Sequence, residues 1–321
     1  MTTRPDLLTD AFRALSARLG QDPLQVQGPG GNTSIKGGGV MWIKASGTEL
    51  ANAERDQIFV AVDHKAALAE ANGAGDGSCK STGLDPAVTL RPSIETTFHA
   101  ALDQPVVAHT HSVAVLTHAI SPEGREAARD KLADLPFVMV PYAKPGLPLT
   151  REILARVGAE TRVVILQNHG LICFGPTVDE VSETLAEVER RLDMPARESA
   201  PAPTSAAPDG FDWAAESWLA ADPLAAARAT DGTYYPDHVV FLGPRLPRAD
   251  HGAQPPAILA DGGVLIRHGS TDAQRAMLTC LSDVLRRVPE AWTVEPIGAE
   301  AEAELLDWDA EKYRQALAAR P

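Results

Sequence analysis

The chain has 321 residues, 44% of them hydrophobic and 5% aromatic, with a formal net charge of -14 at neutral pH. That length buries a sizeable core and suits one large domain or two, and the acidic balance excludes nucleic acid and anionic membrane surfaces as partners, because both repel it at long range. The polar start MTTRPDLLTD lacks an apolar signal region, no later run approaches the roughly 20 apolar residues of a membrane span, and Cys79, Cys173 and Cys280 form no CxxC pair, so a soluble, cytoplasmic protein without disulfides is expected.

Residues 5 to 19 place Leu8, Phe12, Leu15 and Leu19 on one helical face, with Gly20 as a stop signal. The next stretch, GPGGNTSIKGGG over residues 28 to 39, holds two glycine clusters. A Walker-type loop needs Gly-Lys-Ser/Thr running into a helix, and a dinucleotide fingerprint needs GxGxxG between strand and helix. Neither context is present. NTSIK, Gly37-Gly38-Gly39 and VMWIK read as two strands joined by a glycine turn. Gly30 and Gly31 let the backbone approach a ligand closely, with Asn32, Thr33 and Ser34 following as side-chain donors. A purely structural turn is the alternative.

The runs IFVAV, VVAHTH, FVMV and RVVILQ read as further strands, interleaved with helical stretches at 63 to 72, 92 to 103, 122 to 133 and 177 to 193. That alternation predicts an α/β fold. Residues 196 to 209, ARESAPAPTSAAPD, have linker composition. They divide the chain into residues 1–195, a linker over 196–210, and a smaller α/β region over 211–321. In the last part FDWAAESWLAADPLAAARA and STDAQRAMLTCLSDVLRRV read as helices and HVVFLG as a strand. AILA and GVLIRHG form a hairpin turning at Asp261-Gly262-Gly263, and a final helix follows.

Three stretches carry chemistry. In VVAHTHSVAV the two-residue period of a strand projects His109 and His111 to one face and Thr110 away. Hydrogen-bonded core histidines are the alternative for HxH alone. RVVILQNHGLICFG adds His169 at the end of another apolar strand, where Asn168 and Gly170 allow a sharp turn. Three imidazoles from two strand ends suit a catalytic divalent site with an open position, whereas structural zinc sites usually recruit cysteine. In RPSIETTFHAAL, Pro92 suits a helix start and Ile94, Phe98 and Leu102 form the buried stripe. Glu95 then points off that stripe in the first turn. A first-turn Glu is usually a dipole-stabilising surface residue, but here the helix ends close before the His109 strand, and a carboxylate beside the metal can shuttle a proton.

The ordered motifs GGNTS, KASGTEL, PSIETTFH, HTHS and NHGL resemble the class II aldolase and adducin amino-terminal family over roughly residues 5 to 195. That family includes fuculose-phosphate and rhamnulose-phosphate aldolases and ribulose-phosphate 4-epimerase. The carboxy-terminal third, with YYPDHVVFLGP and WDAEKYRQAL, is similar to the segment that follows the aldolase domain in longer bifunctional rhamnulose-phosphate aldolase and dehydrogenase proteins. The resemblance implies a three-layer α/β/α domain around a mostly antiparallel sheet, and a homo-oligomer, a tetramer in family members. It implies that His109, His111 and His169 hold a divalent metal, zinc first and manganese, cobalt or nickel as substitutes. It further implies that Glu95 exchanges a proton with the ketone half of the substrate and that Gly31, Asn32, Ser46, Gly47 and Ser93 face its phosphate.

The implied function is a metal-dependent aldolase acting on a ketose phosphate, ketose or sugar acid through a metal-stabilised enediolate. A 4-epimerase, decarboxylase or dehydratase on the same fold, and a non-enzymatic adducin-like interaction module, are the alternatives. Two departures stand out. Ile94 occupies the place of a second phosphate-binding serine, and Pro145 lies near the family's tyrosine proton donor, for which Tyr142 or Lys144 are substitutes.

Overall fold

The computed structural model describes residues 3–248 and 254–319. In chain order the first part contains α1 (Asp10–Gln21), β1 (Asn32–Gly37), β2 (Val40–Lys44), β3 (Phe59–Asp63), α2 (His64–Ala71), α3 (Thr96–Ala101) and β4 (Val106–Thr110). It continues with α4 (Val113–Ala119), α5 (Pro122–Lys131), β5 (Phe137–Val140), α6 (Leu147–Leu154), β6 (Val163–Leu166), β7 (Gly170–Gly175) and α7 (Val178–Leu192). These strands form one seven-stranded sheet in the order β3-β2-β1-β4-β7-β6-β5. Among the described residues, the β5–β6 pair is the one parallel pair of this sheet.

Strand alternation builds three layers. Val106 and Ala108 of β4 with Val163 and Ile165 of β6 turn to one face, against α1, α4, α5 and α7. Val107 with Val164 and Ile172 turns to the other, against Phe98 of α3 and Leu149 and Ile153 of α6. The expected α/β/α architecture with a mostly antiparallel sheet is therefore the one observed. The register pairs Asn32 with His109 across β1 and β4, which sets the glycine-turn strand directly beside the first histidine.

The second part contains β8 (Phe211–Trp213), α8 (Trp218–Ala221), α9 (Pro223–Asp231), α10 (Pro236–Leu242), β9 (Ala257–Ala260), β10 (Gly263–Arg267), α11 (Asp272–Arg287), α12 (Ala299–Leu306) and α13 (Asp309–Ala318). Its strands form a separate sheet in the order β8-β10-β9; β9 and β10 make the expected hairpin, but it turns on Asp261-Gly262 alone, because Gly263 already pairs with Ala260. Residues 193–210 carry no helix or strand. The second part packs onto the first, because Val113, Leu116 and Ile120 at α4 share one core with Tyr234, Tyr235, Met277 and Leu281. The three cysteines are buried and free. Among the described residues no helix is long and apolar enough to cross a membrane.

Several local expectations are corrected. HVVFLG lies in helix α10, not a strand: Pro236 opens it, every residue from Pro236 to Leu242 is buried, and Gly243 at φ +90 stops it. A short run buried along its whole length has no polar–apolar period to tell strand from helix. Residues 211–213, expected in a helix, pair with β10 instead, and Asp222-Pro223 splits the rest into α8 and α9, with Asp222 capping α9. The hairpin β1–β2 turns on Gly38 and Gly39 alone, at φ +57 and +82, because Gly37 is still paired with Val40.

Helix α1 starts at Asp10, capped by Thr9, and runs through Gly20 to Gln21, so Gly20 is no stop signal. A Cβ there would stand 2.1 Å from the Ala51 nitrogen, a backbone atom that cannot swing aside. Gly20→Ala is expected to lower stability by about 1–3 kcal/mol, the usual cost of overpacking, read as a lower urea midpoint.

Candidate metal and acid-base site

His109 and His111, which the HxH spacing sets on one face, are joined by His169 from a distant turn. One ring nitrogen from each lies within 4.8 Å of the others, and the ring centroids are 5.0 to 5.4 Å apart. His109 comes from β4, and His111 from the residue just past its end. His169 sits in the β6–β7 turn, where Asn168 takes φ +54. Gly170 is required after it, because a Cβ there would stand 2.2 Å from the Thr110 carbonyl oxygen.

Nδ1 of His109 lies 2.9 Å from the Leu171 carbonyl. That bond makes Nδ1 the donor and frees Nε2 as a lone-pair ligand. Nε2 of His109 is buried without a hydrogen-bond partner, the condition an ion relieves, and Oε1 of Glu95 is likewise unpartnered. Burial lowers the His109 imidazole below its ordinary range. It pushes the His169 imidazole down to about 3 against the opposing pull of Glu95. Both are therefore neutral at physiological pH, the form that binds metal. The donor set thus fits a divalent ion with an open position.

Glu95 faces this cluster. Its Oε2 lies 3.4 Å from His109 Nε2 and its Oε1 3.5 Å from His169 Nε2. The residue is the N-cap of α3, yet its side chain caps nothing. The Asn32 amide donates to Oε2 at 2.9 Å and to Ser93 Oγ at 3.2 Å, while Asn32 Oδ1 makes a short bond with His99 Nε2. Burial raises the Glu95 carboxyl, but the positive charge that His109 and His169 carry once protonated at low pH, with the Asn32 bond, outweighs it and brings the group down to about 2.

Helix α3 starts four residues later than Pro92. The Ser93 N–H donates to the Lys44 carbonyl at 3.1 Å and the Ser46 N–H to the Arg91 carbonyl at 2.9 Å. Residues 91–93 therefore run as an extended edge beside the end of β2, and Pro92 bridges to Ala45. Ile94, expected in the buried stripe, lines the cavity instead.

Gly31, Asn32, Ser46, Gly47, Ser93, Glu95, His111 and His169 all line a single cavity of about 20 Å³, room for one water-sized group. Gly31 has φ +54, and a Cβ on it would stand 2.8 Å from the His109 carbonyl oxygen, so the glycine permits the β1–β4 contact. A Cβ on Gly47 would stand 2.4 Å from Leu317 Cδ1 of α13. The turn is thus covered by the carboxy-terminal helix. A second cavity of about 380 Å³ adjoins the first along Ser46, Ile94 and Pro145, with Lys80, Arg91 and Lys144 on its walls. Lys144 lies over the Trp308 ring. The Tyr142 hydroxyl is buried without a partner, and burial raises its pKa.

Sequence reasoning missed four residues of the small cavity: Lys44, Asp237, Glu311 and Arg314. Lys44 donates to the Pro29 carbonyl at 2.9 Å, and burial, then Arg314, brings its ammonium down to about 7. Asp237 Oδ2 lies 3.2 Å from His111 Nδ1. Burial raises the Asp237 carboxyl, but Arg314 and His111 prevail and keep it ionised. Burial, with Asp237 and Glu95, lifts Glu311 to about 7 against Arg314. One signal existed for Asp237, a charge inside the otherwise apolar run of YYPDHVVFLG. Glu311 and Arg314, three residues apart on a helix, look like an ordinary solvated pair.

Relatives share this arrangement's scaffold. The N-terminal class II aldolase domain of a conserved protein from Thermoplasma acidophilum is 26% identical, with a TM-score of 0.52 over 60% of this chain and 94% of that one. The protein named uncharacterized oxidoreductase YuxG, from Bacillus subtilis (strain 168), is 30% identical over 178 residues. That match covers 50% of this chain and 25% of the entire relative, so the chain spans about a quarter of the length of the curated relative it matches. Residues 11–195 match the Class II Aldolase and Adducin N-terminal domain, and with more than half its length inside that match the chain belongs to this family.

Proposed function

We propose that the chain is a metal-dependent class II aldolase-type lyase that makes or breaks a C–C bond in a ketose phosphate, ketose or sugar acid. The observation that carries this reading is the Glu95 carboxylate facing the Nε2 atoms of His109 and His169 at 3.4 and 3.5 Å in a buried pocket. His109, His111 and His169 would hold the ion. A divalent cation bound there supplies Lewis-acid charge to the ketone oxygen.

In the synthetic direction Glu95 takes the proton from the carbon beside the ketone, and that carbon's electron pair forms the new bond to the aldehyde carbon. The aldehyde oxygen then takes a proton, a role assigned to Lys44, which lines the same cavity and whose ammonium burial brings down to about 7. Cleavage is the reverse. The small cavity holds only the reacting end, so the rest of the substrate occupies the adjoining cavity, where Lys144, with Lys80 and Arg91 once an anionic tail displaces the Asp309 they share, suits such a tail.

The oxidoreductase wording belongs to a relative of which this chain spans a quarter. Here the Gly28–Gly31 turn leads into β1, not into a helix, which is not a dinucleotide cradle. The test is aldehyde release from a panel of phosphorylated and free ketoses and sugar acids with zinc, cobalt or manganese supplied. Release from none of them, with epimerised or decarboxylated product instead, would move the reaction to another member of this fold.

Asn32 separates two roles. If its amide serves the substrate phosphate, Asn32→Ala raises KM. The bonds to Glu95 and His99 predict instead a lower kcat, by about 1–3 kcal/mol for the groups left unpaired, with KM and metal content nearly constant. Steady-state kinetics on a phosphorylated substrate decide between them.

A further inference from the structure

The family match ends at residue 195, yet residues far beyond it reach the histidine cluster. Asp237 of α10 faces His111 Nδ1 at 3.2 Å. Arg314 of α13 clamps that carboxylate with two parallel bonds of 2.9 and 3.1 Å and donates to Glu311 at 2.8 Å. The three side chains are between 2% and 8% exposed. Burying such a charge cluster is a poor route to stability, because desolvation cancels much of the attraction. Arg314 and Glu311 would not need Asp237 to approach an imidazole at all.

Room for that approach is provided at Gly30, where a Cβ would stand 2.9 Å from His111 Nδ1 and 3.0 Å from Asp237 Oδ2. A second tie runs to the turn bearing His169. The Asn168 amide donates to the Tyr234 carbonyl at 3.0 Å and to the Glu295 carbonyl at 2.7 Å.

We propose that Asp237 is a positioning residue of the metal site. It accepts the Nδ1 proton of His111 and so fixes the ring with Nε2 toward the other two imidazoles, while Arg314, backed by Glu311, fixes Asp237. The carboxy-terminal part is thereby a working component of the site. This inference rests on His109, His111 and His169 being metal ligands. A carboxylate behind a ligating imidazole sets its tautomer and orientation and raises its basicity, and losing such a partner typically weakens metal binding by about 10–100-fold.

The experiment titrates cobalt(II) into the full chain against a competing chelator, for the parent, Asp237→Asn, Asp237→Ala and Arg314→Lys. Both Asp237 variants are expected to bind cobalt about 10–100-fold more weakly and to alter its visible absorption band. Asp237→Asn, nearly isosteric, leaves Arg314 with Glu311 as its remaining buried partner and should lower the metal-free unfolding midpoint, so its cobalt constant is measured below that midpoint, where the variant is folded. Arg314→Lys, which keeps the charge but not the fork, should fall between. A parent that binds no cobalt removes the metal reading and this inference with it. A parent that binds cobalt while Asp237→Asn shows the same constant and band overturns this inference alone. If Asp237→Ala fails to fold, the Asn and Lys variants decide.

Discussion

His111→Ala is expected to lose nearly all of the roughly one divalent ion that each parent chain should carry. Three imidazoles are the whole protein share of a four-coordinate catalytic site, and alanine leaves two nitrogens with no partner to close the chelate. The effect should be large because the other ligands are already prepared. Burial keeps His109 and His169 neutral, so no proton competes with the ion near pH 7. Zinc is the first expectation, and cobalt, nickel or manganese can occupy an imidazole site according to supply. His118→Ala is the control. That histidine is also buried, but its Nδ1 bonds the Ala114 carbonyl of its own helix at 2.9 Å, and its metal content should match the parent. Elemental analysis giving equal metal in His111→Ala and the parent would sink the assignment.

The parts of this site that were legible in the sequence are those governed by local periodicity. HxH on an apolar strand puts two rings on one face; His109 is fixed in β4 between β1 and β7, and His111, one residue past the strand end, reaches the same cluster. His169 was legible because Asn168 and Gly170 mark a turn at a strand end. Glu95 was found for a partly mistaken reason. Its helix begins at Thr96, and Asn32, which the register sets beside His109, turns the carboxylate toward the histidines instead of the helix amides.

What could not be read depends on contacts between distant segments. The Asp237–Arg314 pair spans 77 residues, and no period or spacing relates either to His111. The error in HVVFLG had the same origin, since a run buried on every side carries no amphipathic signal and only tertiary packing makes α10 a helix. Gly20 was read as punctuation because a packing glycine and a stopping glycine look alike until the neighbour, Ala51, is in place.

Glu95→Gln is expected to lower turnover by about 100-fold or more while the ion stays bound, the scale of lost general acid-base catalysis. Gln keeps the size of the side chain and can still bond the Asn32 amide through its carbonyl oxygen, so the pocket should hold its shape. What it loses is the basic oxygen, at a site where the carboxyl is held ionised at about 2. The carboxylate oxygens lie 3.4 and 3.5 Å from the two Nε2 atoms, close enough that Glu95 could serve either as base or as a fourth ligand, and the two roles leave different traces. A fourth protein ligand would close the open position that a catalytic site needs, and its loss would reduce metal content. A base would leave metal content unchanged and abolish exchange of the ketone fragment's α-proton with deuterated solvent, a step that needs no C–C cleavage. Parent-level exchange in the Gln variant rejects the proton role. Normal turnover with depleted metal is not expected from either role, whereas slow exchange with full metal is the outcome that the contact with Asn32 and the free Oε1 predict.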